Sequence, residues 1–110
     1  MKIKSVIAVV TLAIGILFNQ LAFADPVWID VRTLQENKVN HIEGDILIPY
    51  NEIINGVSQL YPDKNTDIRL YCRSGRRAAV ALSSLKSAGY NNVKNVGSID
   101  NARKVRSKIQ

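Results

Sequence analysis

Cysteine is almost missing from this 110-residue chain: Cys72 is the only one. A single thiol cannot close an intramolecular disulfide, so the disulfide-stapled class of small exported domains is excluded. Histidine is as scarce. His41 stands alone, far from Cys72 in sequence, and the two do not make a metal site. Internal repeats, low-complexity tracts and Gly- or Pro-rich linkers are absent, which leaves one domain. No apolar run reaches the roughly 20 residues of a membrane span. The apolar core nearest to one, Val6 to Phe18, has 13 residues. A basic head with Lys2 and Lys4 precedes it, and Ala22-Phe23-Ala24 closes it with the small-x-small pattern of a signal peptidase site. The expectation is a signal peptide over 1–24 and an exported domain over 25–110, with no stable membrane insertion after cleavage.

Acidic residues are the minority. The chain holds 15 lysines and arginines against 9 aspartates and glutamates, a formal charge of +6. Loss of Lys2 and Lys4 with the signal reduces this to +4, an excess that suits small anionic ligands and also many ordinary surfaces. Arg103, Lys104, Arg106 and Lys108 read as the solvated face of a terminal helix. No nucleic-acid recognition motif accompanies them, so no nucleic-acid partner is expected.

What is present is an alternation of short β-branched runs with helical patterns. Strands are expected over 27–31, 45–49, 66–71 and 92–96, the last broken by Gly97. A brief helix over 33–38 carries Thr33 as cap and Glu36 three residues on, a capping-box pattern. A second helix over 51–61 has Asn51 as its expected cap. The best helix runs from Arg76 to Ala88. Its apolar face comprises Ala78, Ala79, Ala81, Leu82, Leu85 and Ala88, and Gly89 stops it. A terminal helix covers 99–109. Strands alternating with helices imply an α/β fold with a small parallel sheet flanked by helices. Trp28 reads as packing.

Residues 70–79, LYCRSGRRAA, carry the chemistry. Cys72 falls between the end of a strand and the first turn of a helix, the edge where open α/β sheets bind ligands. Helix N-terminal amides and the helix dipole favour negative charge there. Gly75 permits a backbone that a side chain resists. Amides, dipole and guanidinium groups together favour thiolate, the nucleophilic form, and can hold an anion beside it. Three arginines at the unfavourable end of a helix dipole argue against an inert core cysteine. Tyrosine-phosphatase loops place arginine six residues after cysteine, and that position here is Ala78. Phosphatase or arsenate reductase chemistry is disfavoured accordingly.

CRSGRR (72–77) resembles the six-residue active loop of the rhodanese family, with cysteine first, glycine fourth and arginine sixth. WIDVR (28–32) followed by Glu36, HIEG (41–44) followed by DILIP (45–49), and AGYNNVKNVGS (88–98) are similar to other family segments in the same order. The resemblance covers 27–98 and implies a small single rhodanese-like domain. It implies a thiosulfate sulfurtransferase in which Cys72 carries sulfur as a persulfide and the loop Arg73, Ser74, Gly75, Arg76 and Arg77 binds the donor. Arg77 would organise the loop, while Asp30, Arg32 and His41 would support it. The implied partners are a small anionic sulfur donor and a cyanide or thiol acceptor, with no cofactor, and the expected state is a monomer. With the signal, the resemblance places the domain in the periplasm. The alternative from another class is a persulfide carrier or binding module without turnover. Two positions depart from the family pattern. Asp45 replaces a usual small residue and is expected to be exposed; Ser98 replaces a usual second glycine beside the site.

Overall fold

The computed structural model describes residues 24–109, so the segment expected to be a signal lies outside the described residues apart from Ala24. Four parallel strands form one sheet in the order β2-β1-β3-β4: β1 (Val27–Asp30), β2 (Ile46–Leu47), β3 (Ile68–Cys72) and β4 (Val93–Ser98). Helices α1 (Leu34–Val39), α2 (Ile53–Leu60), α3 (Arg76–Ser87) and α4 (Ile99–Ile109) complete the α/β domain. Among the described residues, no helix is long and apolar enough to cross a membrane.

Period-two alternation sorts the strand residues between two faces. Ile29, Val31, Ile68, Leu70 and Cys72 face one way, where Ile53 and Val57 of α2 and Ala78, Ala81 and Leu85 of α3 cover them. Trp28 and Tyr71 face the other way, against Ile99 and Ala102 of α4. Ile29, Leu70 and Leu85 have no exposed surface, and each such side chain stabilises the fold by about 1.5–3 kcal/mol.

Local chemistry shifts several expected boundaries. β2 is only two residues long: the Ile48 N–H still reaches the Asp30 carbonyl, but the Tyr50 N–H goes to the Val31 carbonyl as the chain enters a 3-10 turn. Asn51 does not cap α2: after Pro49 the chain makes a 3-10 turn at Tyr50–Glu52, and α2 begins at Ile53 with no side-chain cap. β3 starts at Ile68, since Asp63 draws 63–66 into a turn through its carbonyl and carboxylate. Gly97 does not end β4. It follows a bulge in which Leu70 pairs with Asn95 and Tyr71 with Gly97, leaving Val96 as the extra residue. On α3, Ala79 is exposed, one residue off the buried stripe.

β1 and β3 are neighbours, and the chain leaves them in opposite directions, towards β2 and towards β4. Their carboxyl ends therefore form the switch point at which open α/β sheets present ligand sites. Asp30 and Cys72 occupy those two ends.

Candidate active site

Cys72 is the last residue of β3 and has no exposed surface. Arg73 and Ser74 are exposed, and Gly75 turns back beneath them with φ +95°. That left-handed turn aims the Gly75 N–H at Sγ, 2.9 Å away. A side chain at 75 would be strained, and its Cβ would lie 3.2 Å from Gly97 Cα. α3 follows at once, with no side-chain cap and no acidic residue in its first turn. Its free amides and positive dipole end therefore face the loop that holds the sulfur.

The three arginines do different work. Arg77 is half-buried and pairs with both oxygens of Glu36, Nη1 to Oε1 at 2.6 Å and Nη2 to Oε2 at 2.9 Å. Glu36 also closes the Thr33 capping box of α1, so a single carboxylate ties α1 to the start of α3. The Arg77 hydrogen bonds hold the Glu36 carboxyl down at about 2, against the opposing effect of burial. Arg77 is raised in turn, chiefly by Glu36 and less by the nearby Cys72. Among the described residues, Arg73 and Arg76 make no side-chain hydrogen bond, and both are exposed. They are the guanidinium groups available to an incoming anion.

At the end of β1, Asp30 is fully buried and Arg32 nearly so. Asp30 accepts from the Arg32 backbone at 3.0 Å, from Arg32 Nε at 2.9 Å and Nη2 at 2.7 Å, and from Asn37 Nδ2 at 3.1 Å. Arg32 also donates to the Asn40 carbonyl. This pair fixes the turn that leads into α1, and through α1 it fixes Glu36. The His41 ring is exposed and its nitrogens face the Asn37 carbonyl and Glu43, not the loop. A cavity of about 500 Å³ opens beside the loop, walled by Arg32, Glu36, Val39, Arg73 and Asp100.

The family model for the Rhodanese-like domain matches residues 17–104. The chain belongs to that family. It is 35% identical over 88 residues to the thiosulfate sulfurtransferase PspE of Escherichia coli, covering 80% of this chain and 85% of that protein. It is also 35% identical over 68 residues to the putative sulfur carrier protein YrkF of Bacillus subtilis, covering 62% of this chain and 36% of that longer protein. Among solved structures, an E. coli rhodanese with anions superposes with a TM-score of 0.66 at 34% identity, over 70% of this chain and 91% of that one. The human single-domain sulfurtransferase TSTD1 shares the fold, with a TM-score of 0.61 at 23% identity.

Within this rhodanese-like domain the residues read from sequence divide by position. Cys72 to Arg77 form one loop, Asp30 and Arg32 buttress the adjacent strand end, and His41 lies apart on the surface. Glu36 is the site residue whose role sequence reasoning missed: its signal, a capping box, was visible, but its partner lies 41 positions away. Asp45 is not exposed as expected. Its side chain is 5% exposed because the carboxylate accepts from Tyr71 Oη at 2.6 Å and Arg106 Nη1 at 2.7 Å. Burial, followed by this bond to Asp45, pushes the Tyr71 hydroxyl far up. Ser98 pairs with Cys72 across the ladder, and its Oγ accepts the Asn101 N–H at the start of α4 in the manner of an N-cap.

Proposed function

We propose that this rhodanese-like domain is a thiosulfate sulfurtransferase that carries sulfane sulfur on Cys72. The observation that carries the reading is the Gly75 N–H directed at Sγ within a loop bearing two uncommitted arginines. Identity to a thiosulfate sulfurtransferase over most of both chains supports it. Thiosulfate is drawn to Arg73 and Arg76 and reaches the sulfur from the exposed side of the loop. The Cys72 thiolate attacks the outer sulfur of thiosulfate. An S–S bond forms to Sγ, the original S–S bond breaks, and sulfite leaves with its electron pair. Negative charge now rests on the outer sulfur of the persulfide, within reach of the loop amides and the dipole of α3. Cyanide or a thiolate then attacks that outer sulfur, giving thiocyanate or a new persulfide and restoring the Cys72 thiolate. As written, the cycle begins and ends on the Cys72 thiolate and transfers only sulfur, so it consumes no cofactor and leaves no proton to be removed.

The test is a thiosulfate–cyanide assay with intact-mass detection. The expected results are a gain of one sulfur atom on the protein and steady thiocyanate production. A phosphoester substrate run in parallel should give no turnover. The relationship to a putative sulfur carrier favours a second reading, in which the persulfide is held for a partner. Stoichiometric loading without steady turnover would select it. Export to the periplasm with cleavage after Ala24 belongs to the same proposal, and N-terminal sequencing of the protein recovered from cells checks it.

A further inference from the structure

The Gly75 N–H stays on Cys72 only if the rest of that residue is fixed, and the side chain that fixes it comes from β4. Asn95 sits opposite Leu70, immediately before the bulge. Its Nδ2 donates to the Gly75 carbonyl at 2.9 Å, while its Oδ1 accepts the Gly97 N–H at 2.9 Å. The Gly75 carbonyl also accepts the Ala79 N–H at 2.9 Å, so it is held between helix and sheet. Gly75 and Gly97 both have positive φ, and their backbones approach too closely for a side chain at 75 to fit without a shift. The slot between them calls for one donor and one acceptor at once. A carboxamide supplies both; a carboxylate supplies only acceptors, and an aliphatic side chain neither.

We infer that Asn95 is a positioning residue for sulfur transfer at Cys72, holding the Gly75 peptide in the turn that presents its N–H to the sulfur. This rests on the sulfurtransferase reading above. Among the described residues, Asn95 makes its side-chain hydrogen bonds to Gly75 and Gly97, and none to the sulfur or the exposed arginines. Its effect therefore falls on the alignment of the cradle as charge moves from Sγ to the outer sulfur, and not on capture of the anion.

The experiment compares the parent with Asn95→Ala and Asn95→Asp, per folded protein, with thermal midpoints measured alongside. In Asn95→Ala, kcat for thiosulfate–cyanide transfer should fall about tenfold or more, while KM for thiosulfate stays within about twofold. Amide exchange at Gly75, followed by NMR, should become about tenfold faster, with β1 amides unchanged. Asn95→Asp retains the acceptor for Gly97 but turns a lone pair towards the Gly75 carbonyl, so near neutral pH it should be at least as slow as Asn95→Ala. Below about pH 4 the protonated carboxyl can donate, and Gly75 amide exchange in Asn95→Asp should slow relative to Asn95→Ala at the same pH. An Asn95→Ala kcat within twofold of the parent, unchanged Gly75 exchange, or an Asp variant whose Gly75 exchange tracks that of the Ala variant at every pH overturns the inference. A parent protein that gains no sulfur on Cys72 instead defeats the sulfurtransferase reading, and Gly75 exchange still reports whether Asn95 holds the turn.

Discussion

Cys72 and Tyr71 are neighbours in the chain, and the pleat of β3 sends them to opposite faces of the sheet. Around Cys72 the structure is a loop with three exposed residues, held by polar ties from distant elements: Glu36 to Arg77, and Asn95 to Gly75. Around Tyr71 it is a sealed packing layer. The Tyr71 hydroxyl meets Asp45, Asp45 meets Arg106, and the Arg106 guanidinium lies 4.5 Å from the centre of the Trp28 ring. Among the described residues, every buried side-chain nitrogen and oxygen has a hydrogen-bond partner, so neither face stores an unpaired polar group. The two faces differ in what their contacts do. One specifies where a few N–H groups and charges point, and the other supplies the rigidity on which that pointing depends.

Substitutions should therefore separate activity from stability according to face. The largest effect is expected from Cys72→Ser, which should abolish both turnover and the sulfur mass gain. Its hydroxyl can still accept the Gly75 N–H, so stability should stay within about 1 kcal/mol of the parent. Retained activity in that variant would remove Cys72 as the sulfur carrier. Asp45→Ala should do the reverse. It strands the buried Tyr71 hydroxyl and the half-buried Arg106 guanidinium, at a cost of about 2–4 kcal/mol in urea unfolding. Turnover per folded molecule should remain within about twofold. A large loss of kcat in folded Asp45→Ala protein would show that the two faces are coupled through β3.

The parallel α/β architecture was legible because strand and helix periods alternate along the chain, and the loop was legible because its six residues are contiguous. Contacts between distant positions were not. Glu36 looked complete as a helix cap, and nothing local disclosed that its second role is to hold Arg77. Asp45 looked like a polar strand opening because its two partners lie at 71 and 106. Asn95 read as one residue of a short strand, and only the bulge and the two positive-φ glycines show what its amide does. Side-chain pairing across the sheet sets these roles, and one-dimensional spacing carries little information about it. The misplaced cap at Asn51 has a different cause: Pro49 imposes a 3-10 turn that local propensity outweighs only when packing agrees.

Glu36 offers the finest test of how lightly the sulfur-bearing face is held. Its carboxyl lies at about 2 in the folded chain, against an ordinary value of 4.5. A depressed carboxylate contributes stability in full above its unfolded value and loses it as the pH falls through the folded one. The contribution should thus fade between about pH 5 and pH 2. Because Glu36 remains 29% exposed, its pairing with Arg77 is screened, and a contribution of about 1–2 kcal/mol is expected. Other carboxylates titrate in the same range, so the informative quantity is the gap between the parent and Glu36→Gln. That gap should be present at pH 7 and close by pH 2, as followed by urea unfolding at each pH. Glu36→Gln should also slow turnover at neutral pH by about tenfold, because Arg77 loses its charged anchor while Cys72 and the exposed arginines remain. If the gap persists unchanged at pH 2, the carboxylate–guanidinium pair is not what holds α1 against the loop. If turnover is unaffected while the gap closes as expected, the pair acts on the fold alone, and the precision of the sulfur cradle must come from the sheet side, through β4.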